Sequence, residues 1–228
     1  MLKFMEFEDA VRAARQGRPI VYPTETFYAV GASALSQDAA RQVYAVKKRG
    51  HSYPLPVILG GLEQLELVAA PRRGESEAWE LSLRLAELFW PGPLSLLLPA
   101  APSLPQALTG GSGNVVARVP AHQAARELAA AAALPLISSS ANISGRPPAT
   151  RPEDLDGELL AALLEAGGEE AESKGSVLDL PPRPGGGLPS TIVRARPELG
   201  PRCLGILREG AVSAAALEEQ GFICLLEV

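Results

Sequence analysis

Hydroxyls, amides and cations crowd into four short stretches of this chain: "YPTETFYAVG" (22–31), "VKKRGHSYPL" (46–55), "SSSANISG" (138–145) and "GGGLPST" (185–191). Each follows or precedes an apolar run. Such groups bind carboxylates, amines or phosphate oxygens with fixed donors. No His or Asp is placed to activate one of the serines, so the pattern does not support a catalytic triad. Lys47 and Arg49 stand two apart. On a continuous helix they point to nearly opposite sides, and in an extended segment they share a face and converge on one polyanion. The other reading is a helix C-terminus whose cations complement the dipole. Arg118 interrupts the apolar "VVARVP". A buried Arg needs a partner. It is either paired with a structural carboxylate, or solvent-reaching, or a planar clamp on a ligand carboxylate. Arg208 in "ILREGAVS" repeats the pattern, facing either the neighbourhood of Glu209 or a phosphate.

The elements that must position these groups alternate between helix and strand. The patterning predicts helices over 7–16, from Ser36 through 48, over 75–89 and over 122–133. It predicts strands at 19–23, 55–60, 94–99, 115–120, 134–138 and 176–180, then at 190–195, 203–208 and 222–228. Thr150 and Glu153 have capping-box spacing before another helix. The Gly, Glu and Pro content of 165–187 predicts a mobile loop. The alternation predicts an α/β fold with a mixed sheet and a single domain over 1–228. Four polar loops at strand ends then imply one shared pocket.

Composition narrows the function. The 228 residues are 46% hydrophobic and 21% charged, with a net charge of −5, which argues against wholesale coating of nucleic acid or anionic membrane. A local basic groove stays compatible with that balance. Cys203 and Cys224 are the only cysteines, and His51 and His122 the only histidines, so a disulfide framework or a Cys/His zinc centre lacks ligands. The charged N-terminus does not read as a signal peptide, no apolar run is long enough to span a bilayer, and a cytoplasmic protein is expected. Neither GxGxxG after the first strand nor a P-loop motif occurs.

Taken in chain order, "YPTETFYAVG", Lys47-x-Arg49 with Pro54-Leu55, "WPGPLSLLLP", "ARVP", "ISSSANISGRPPAT", "LPST" and "LREGAVS" resemble the YrdC family over about residues 19–212. The resemblance implies an open twisted mixed sheet with flanking helices around a concave cationic cavity. It implies that L-threonine, bicarbonate and ATP are joined into threonylcarbamoyl-AMP with release of pyrophosphate, for modification of adenosine 37 in tRNA. By the same resemblance Thr26, Arg118, Ser140 and Ser190 hold the threonine, and Lys47, Arg49, Asn114, Asn142, Thr150 and Arg208 hold ATP. No protein nucleophile is needed, and Lys47 and Arg49 stabilise charge on the phosphates. Mg2+ arrives with ATP rather than in a protein cage. Implied partners are a downstream tRNA threonylcarbamoyl transferase system and, by direct contact, tRNA or double-stranded RNA. Ser140 and Asn142, two apart, are expected to face the amino acid and the nucleotide respectively. The short family form, without an added C-terminal domain, is expected. Ala29, Ser95, Tyr53 and Ile58 depart from the family pattern, the last where many members have a threonine-binding His. Two rival readings are an RNA-binding module using the same cavity and a YciO-like paralogue making a different carbamoyl adenylate.

Overall fold

The apolar runs close into two sheets in the computed structural model, which describes residues 3–50 and 54–227. In chain order the elements are α1 (Phe7–Arg15), β1 (Ile20–Pro23), β2 (Tyr28–Gly31), α2 (Gln37–Val46), β3 (Val57–Ile58), α3 (Ser76–Phe89), β4 (Leu94–Pro99), α4 (Gln106–Thr109) and β5 (Asn114–Arg118). They continue with α5 (Gln123–Ala132), β6 (Leu136–Ile137), β7 (Ser139–Ser140), α6 (Gly157–Lys174), β8 (Thr191–Ala195), β9 (Cys203–Arg208), α7 (Ala214–Glu219) and β10 (Ile223–Leu226). The larger sheet is mixed, in the order β10-β9-β8-β4-β5-β3-β6, and the smaller runs β1-β2-β7. The α/β mixed sheet read from the sequence is the architecture observed.

Local chemistry explains most boundaries. Ser36 caps α2, its Oγ accepting from the Ala39 N–H at 3.1 Å. The φ of +75° at Gly17 lets the chain leave α1. At the end of β2, a side chain on Gly31 would place its Cβ 1.6 Å from the Ile137 carbonyl oxygen, so only glycine lets β2 approach β6 there. One face of the large sheet carries Leu96, Leu98, Val115, Ala117 and Val193, buried with Leu81 and Leu85 of α3 and Val43 and Tyr44 of α2. Each fully buried leucine contributes roughly 1.5–3 kcal/mol. The small sheet packs Val21, Tyr28 and Val30 against Leu159 and Leu163 of α6.

Three expectations fail, wholly or in part, in the segment after residue 149. The Thr150–Glu153 capping box does not form. Arg151 is extended (φ −129°, ψ 148°) before Pro152, and the clash of a proline ring with the preceding residue disfavours helix there. A single 3-10 turn intervenes, and Asp156 caps α6, its carboxylate accepting from the N–H groups of Glu158 and Leu159. Nor is all of 165–187 a loop. Its Ala and Glu residues extend α6 to Lys174, with a kink at Gly168 (φ 54°). The chain then lies across the small sheet as a strap. The expected strand at 176–180 reduces to bridges from Val177 to Phe4 and Val21. Among the described residues no helix is long and apolar enough to cross a membrane.

Candidate functional site

Sheet register gathers the site. β4 runs antiparallel to β5 and parallel to β8, and β8 runs antiparallel to β9. The end of β5, the starts of β4 and β8 and the end of β9 therefore share one rim. That rim carries Arg118, Ser95, Ser190 and Arg208 in turn. The small sheet closes the other side: its β1–β2 turn supplies Thr24 and Thr26, and β7 supplies Ser139 and Ser140, with Ser140 paired to Ala29 and Ser139 to Val30. Between them is a cavity of about 270 Å³ bordered by Thr26, Arg49, Arg118, Ser140, Ser190 and Arg208.

The serine-rich stretch thus ends β6 in hydroxyls because the chain crosses there from one sheet to the other, with the cavity between. Ser138 donates its N–H to the Pro56 carbonyl at 2.7 Å, and Ser138, Ser139 and Ser140 all border the cavity. On the opposite wall, Ser95 Oγ donates to Ser190 Oγ at 2.9 Å. Arg208 donates from Nε (3.1 Å) and Nη2 (2.7 Å) to the Ser190 carbonyl, and from Nη2 to Ser190 Oγ at 3.2 Å. Of the two sequence readings of Arg208, pairing near Glu209 is not the one observed. Burial, and then the nearby Arg118, lower the Arg208 pKa. Arg49 reaches the cavity from beyond α2, donating to the Pro54 carbonyl at 3.3 Å and Ser139 Oγ at 3.5 Å. Arg118 is 7% exposed and its Nη2 lies 3.4 Å from Glu25 Oε1. It is both paired to a carboxylate and open to the cavity.

Lys47 corrects the expectation that it shares a face with Arg49. It is the C-cap of α2, and Lys48 after it takes a left-handed turn (φ 49°), which swings Arg49 round to the cavity and leaves Lys47 behind it. Only 1% exposed, its ammonium donates to the Asn142 carbonyl at 2.8 Å, to Asn142 Oδ1 at 3.4 Å and, more closely, to the Ser140 carbonyl. Burial and then Arg49 bring its pKa down to about 7. Asn142 is likewise turned inward, its Nδ2 donating to the carbonyls of Ile143 (3.1 Å) and Arg146, so it does not present its amide to the cavity. Both are committed to holding the loop that carries Ser140.

Two further residues lie apart. Thr150 sits against Gly186 on the strap, outside the cavity lining. Asn114 shares a sheet face with Val116 and Arg118 by strand alternation, about 13 Å from Arg118 along β5. It lines a second hollow of about 480 Å³ with Arg72, Arg194 and Arg196. There the arginines already have carboxylate partners in Glu75, Glu198 and Glu227. Of the departures from the family pattern, Ala29, Ser95 and Ile58 border the first cavity, and Tyr53 lies outside the described residues. Sequence reasoning passed over Glu25, Thr24 and Ser138. The only signal for them was membership of the polar clusters.

The strap covers the β1–β2 turn. Gly185 and Gly186 donate their N–H groups to the carbonyls of Glu25 (3.0 Å) and Thr26 (2.8 Å). The Tyr28 hydroxyl bonds Asp179, and burial with that carboxylate raises the phenol pKa. His122 Nε2 meets the Pro182 carbonyl at 2.7 Å.

A family model named Sua5_yciO_yrdC, described as "Telomere recombination", matches residues 12–210. The threonylcarbamoyl-AMP synthase of Pyrococcus abyssi is 37% identical over 182 residues, 75% of this chain and 52% of that protein. A putative threonylcarbamoyl-AMP synthase of Mycobacterium leprae is 35% identical over 217 residues, 92% of this chain and 85% of that one. The crystal structure of P. abyssi Sua5 complexed with L-threonine superposes with a TM-score of 0.77 at 30% identity, over 97% of this chain and 58% of that one. The chain therefore spans about half the length of the archaeal relative.

Proposed function

The chain belongs to the Sua5/YciO/YrdC family, and on that premise we propose that it joins L-threonine, bicarbonate and ATP into threonylcarbamoyl-AMP, releasing pyrophosphate. One observation carries this reading: three arginines and a ring of hydroxyls border one cavity, and among the described residues that line it there is no pair of groups suited to nucleophilic catalysis. An adenylation whose nucleophile is the substrate's own carbamate needs no more than that. Arg118 clamps the threonine carboxylate with its planar fork. Thr26, Ser140 and Ser190, with Ser95 behind Ser190, take the amino group and the side-chain hydroxyl. Arg49 and Arg208 face the phosphates. As the carbamate oxygen attacks the α-phosphorus, charge builds on phosphate oxygens and on departing pyrophosphate, and fixed guanidiniums stabilise it without reorganising. Lys47 and Asn142 act through the backbone of the Ser140 loop rather than on ATP.

Among the described residues no group of three or more His, Cys, Asp or Glu converges to hold a metal. In this reading Mg2+ enters on the phosphates of ATP and neutralises part of their charge. The product serves a tRNA threonylcarbamoyl transferase system. The test is pyrophosphate release from ATP with bicarbonate, screened across amino acids. Release that depends on threonine supports the reading. Release with another amine alone points to the paralogue that makes a different carbamoyl adenylate, and RNA binding without any release points to the binding module.

A further inference from the structure

Arg118 and Glu25 form an ion pair whose side chains are only 8% and 17% exposed, and no other pair among the described residues is as sheltered on both sides. Both Glu25 carboxylate oxygens are screened from solvent and accept no hydrogen bond from the described residues. A buried carboxylate without donors is costly unless a cation holds it. The backbone around it is fixed: Thr24 Oγ1 donates to the Phe27 carbonyl at 2.6 Å, and Gly185 of the strap donates to the Glu25 carbonyl at 3.0 Å. Glu25 does not border the cavity, whereas Arg118 does. The guanidinium thus borders the cavity while its carboxylate partner is not part of the lining. Arg208 lies close enough to Arg118 for the two charges to oppose each other.

We infer that Glu25 sets the anion specificity of the cavity, by neutralising Arg118 so that this corner accepts one carboxylate and does not capture a phosphate or pyrophosphate. The inference rests on the amino-acid reading of the Arg118 corner. Without that carboxylate Arg118 would hold a polyanion as readily as a single carboxylate, and pyrophosphate left in the amino-acid corner would block the next threonine. With Glu25 paired to Arg118, the positive charge of that corner is offset, and Arg208, held by the Ser190 carbonyl, keeps its charge for the phosphates. Glu25 is thus a specificity and positioning residue that never touches the substrate.

The test is calorimetric titration of inorganic pyrophosphate into the ligand-free protein, comparing wild type, E25Q and E25Q/R118Q. Removing one buried charge beside Arg118 should tighten pyrophosphate binding by about tenfold or more in E25Q. The double variant should lose that gain. Equal affinity in wild type and E25Q overturns the inference. So does a gain that survives in the double variant, because the anion then sits elsewhere. If circular dichroism shows E25Q unfolded, E25A decides: with the carboxylate gone it should give the same rise, and no rise overturns the inference. None of these measurements needs turnover. A failed amino-acid screen with wild type would count against the proposed activity and leave the charge result intact.

Discussion

Replacing Lys47 with methionine separates a scaffold lysine from a phosphate ligand. The ammonium is 1% exposed and satisfies three oxygens: the carbonyls of Ser140 and Asn142, and Asn142 Oδ1. Methionine fills most of the volume and donates nothing. Each buried acceptor left unpaired costs about 1–3 kcal/mol. Part of this is offset, because the charge burial that drives the Lys47 pKa down to about 7 also disappears. A net loss of about 2–4 kcal/mol follows, equivalent to roughly 5–15 °C in melting temperature for a chain of this size. Urea unfolding and a thermal melt measure it. The Ser140 loop serves the whole cavity, so KM should rise for threonine and ATP together, measured well below the melting temperature. A phosphate ligand behaves differently: its loss weakens ATP alone and leaves stability within about 0.5 kcal/mol, as for most exposed cations. K47M melting with the wild type while failing to bind ATP would refute the scaffold assignment.

The same lysine predicts a pH dependence. The native ammonium titrates near 7 and the unfolded one near 10.5, so between those values the unfolded chain binds the extra proton and wild-type stability rises with pH. The stability gap between wild type and K47M should therefore widen from pH 7 to pH 9 by chemical denaturation, and a constant gap counts against a buried ammonium. Tyr28→Phe removes the hydrogen bond to Asp179 that ties down the strap, at a cost of about 1.5–3 kcal/mol for a bond to a charged acceptor. Faster hydrogen exchange at the Gly185 and Gly186 amides should accompany that loss, and unchanged exchange there would mean the strap is held elsewhere. Asp156→Ala should cost α6 about 1 kcal/mol, whereas Thr150→Ala should leave helix stability unaltered, both read by thermal melts. Threonine should be preferred to valine by about 1–3 kcal/mol, with serine between them, because valine leaves the site's hydroxyls unpaired. Equal pyrophosphate release with valine and threonine would show that the hydroxyl is not read.

Much of the fold was legible because its signals were local. α1, α2, α3 and α5 carry amphipathic periods with clear stops, and β1, β4, β8 and β9 are short apolar runs bounded by Pro, Gly or charge. β2 and β7 were not legible. "YAVG" has no boundary of its own, and "SS" becomes a strand only because Ala29 and Val30 of β2 are there to pair with it. That is a long-range contact without local propensity. The 165–187 segment was legible in part: 165–174 continues α6, while 175–187 is the irregular chain that its Gly and Pro content signals, held by distant partners: Val21, Tyr28, His122 and the Glu25–Thr26 backbone. At the site, residue types were legible but directions were not. The spacing of Lys47 and Arg49 allowed either a shared face or a helix end. The left-handed Lys48 between them decided the matter, and a lysine in that conformation leaves no mark in the sequence.

The arrangement of the cations bears on how such a site can work without a protein nucleophile. Arg208 is anchored on the Ser190 carbonyl, Arg49 on the Pro54 carbonyl, and the Ser140 loop on Lys47. In each case a backbone oxygen is among the groups that hold the cation. A carbonyl accepts a hydrogen bond while leaving the full positive charge directed at the cavity. A carboxylate in the same place would have cancelled it. Arg118 differs in having a carboxylate partner, Glu25, and in the proposed reading that pair marks the corner that takes the amino acid rather than the nucleotide. Arg208 keeps its charge, already oriented on the Ser190 carbonyl. Preorganised charge of this kind avoids reorganisation as charge develops in the transition state. It also accounts for a chemistry-bearing sequence in which hydroxyls and arginines stand out and no titratable cluster does.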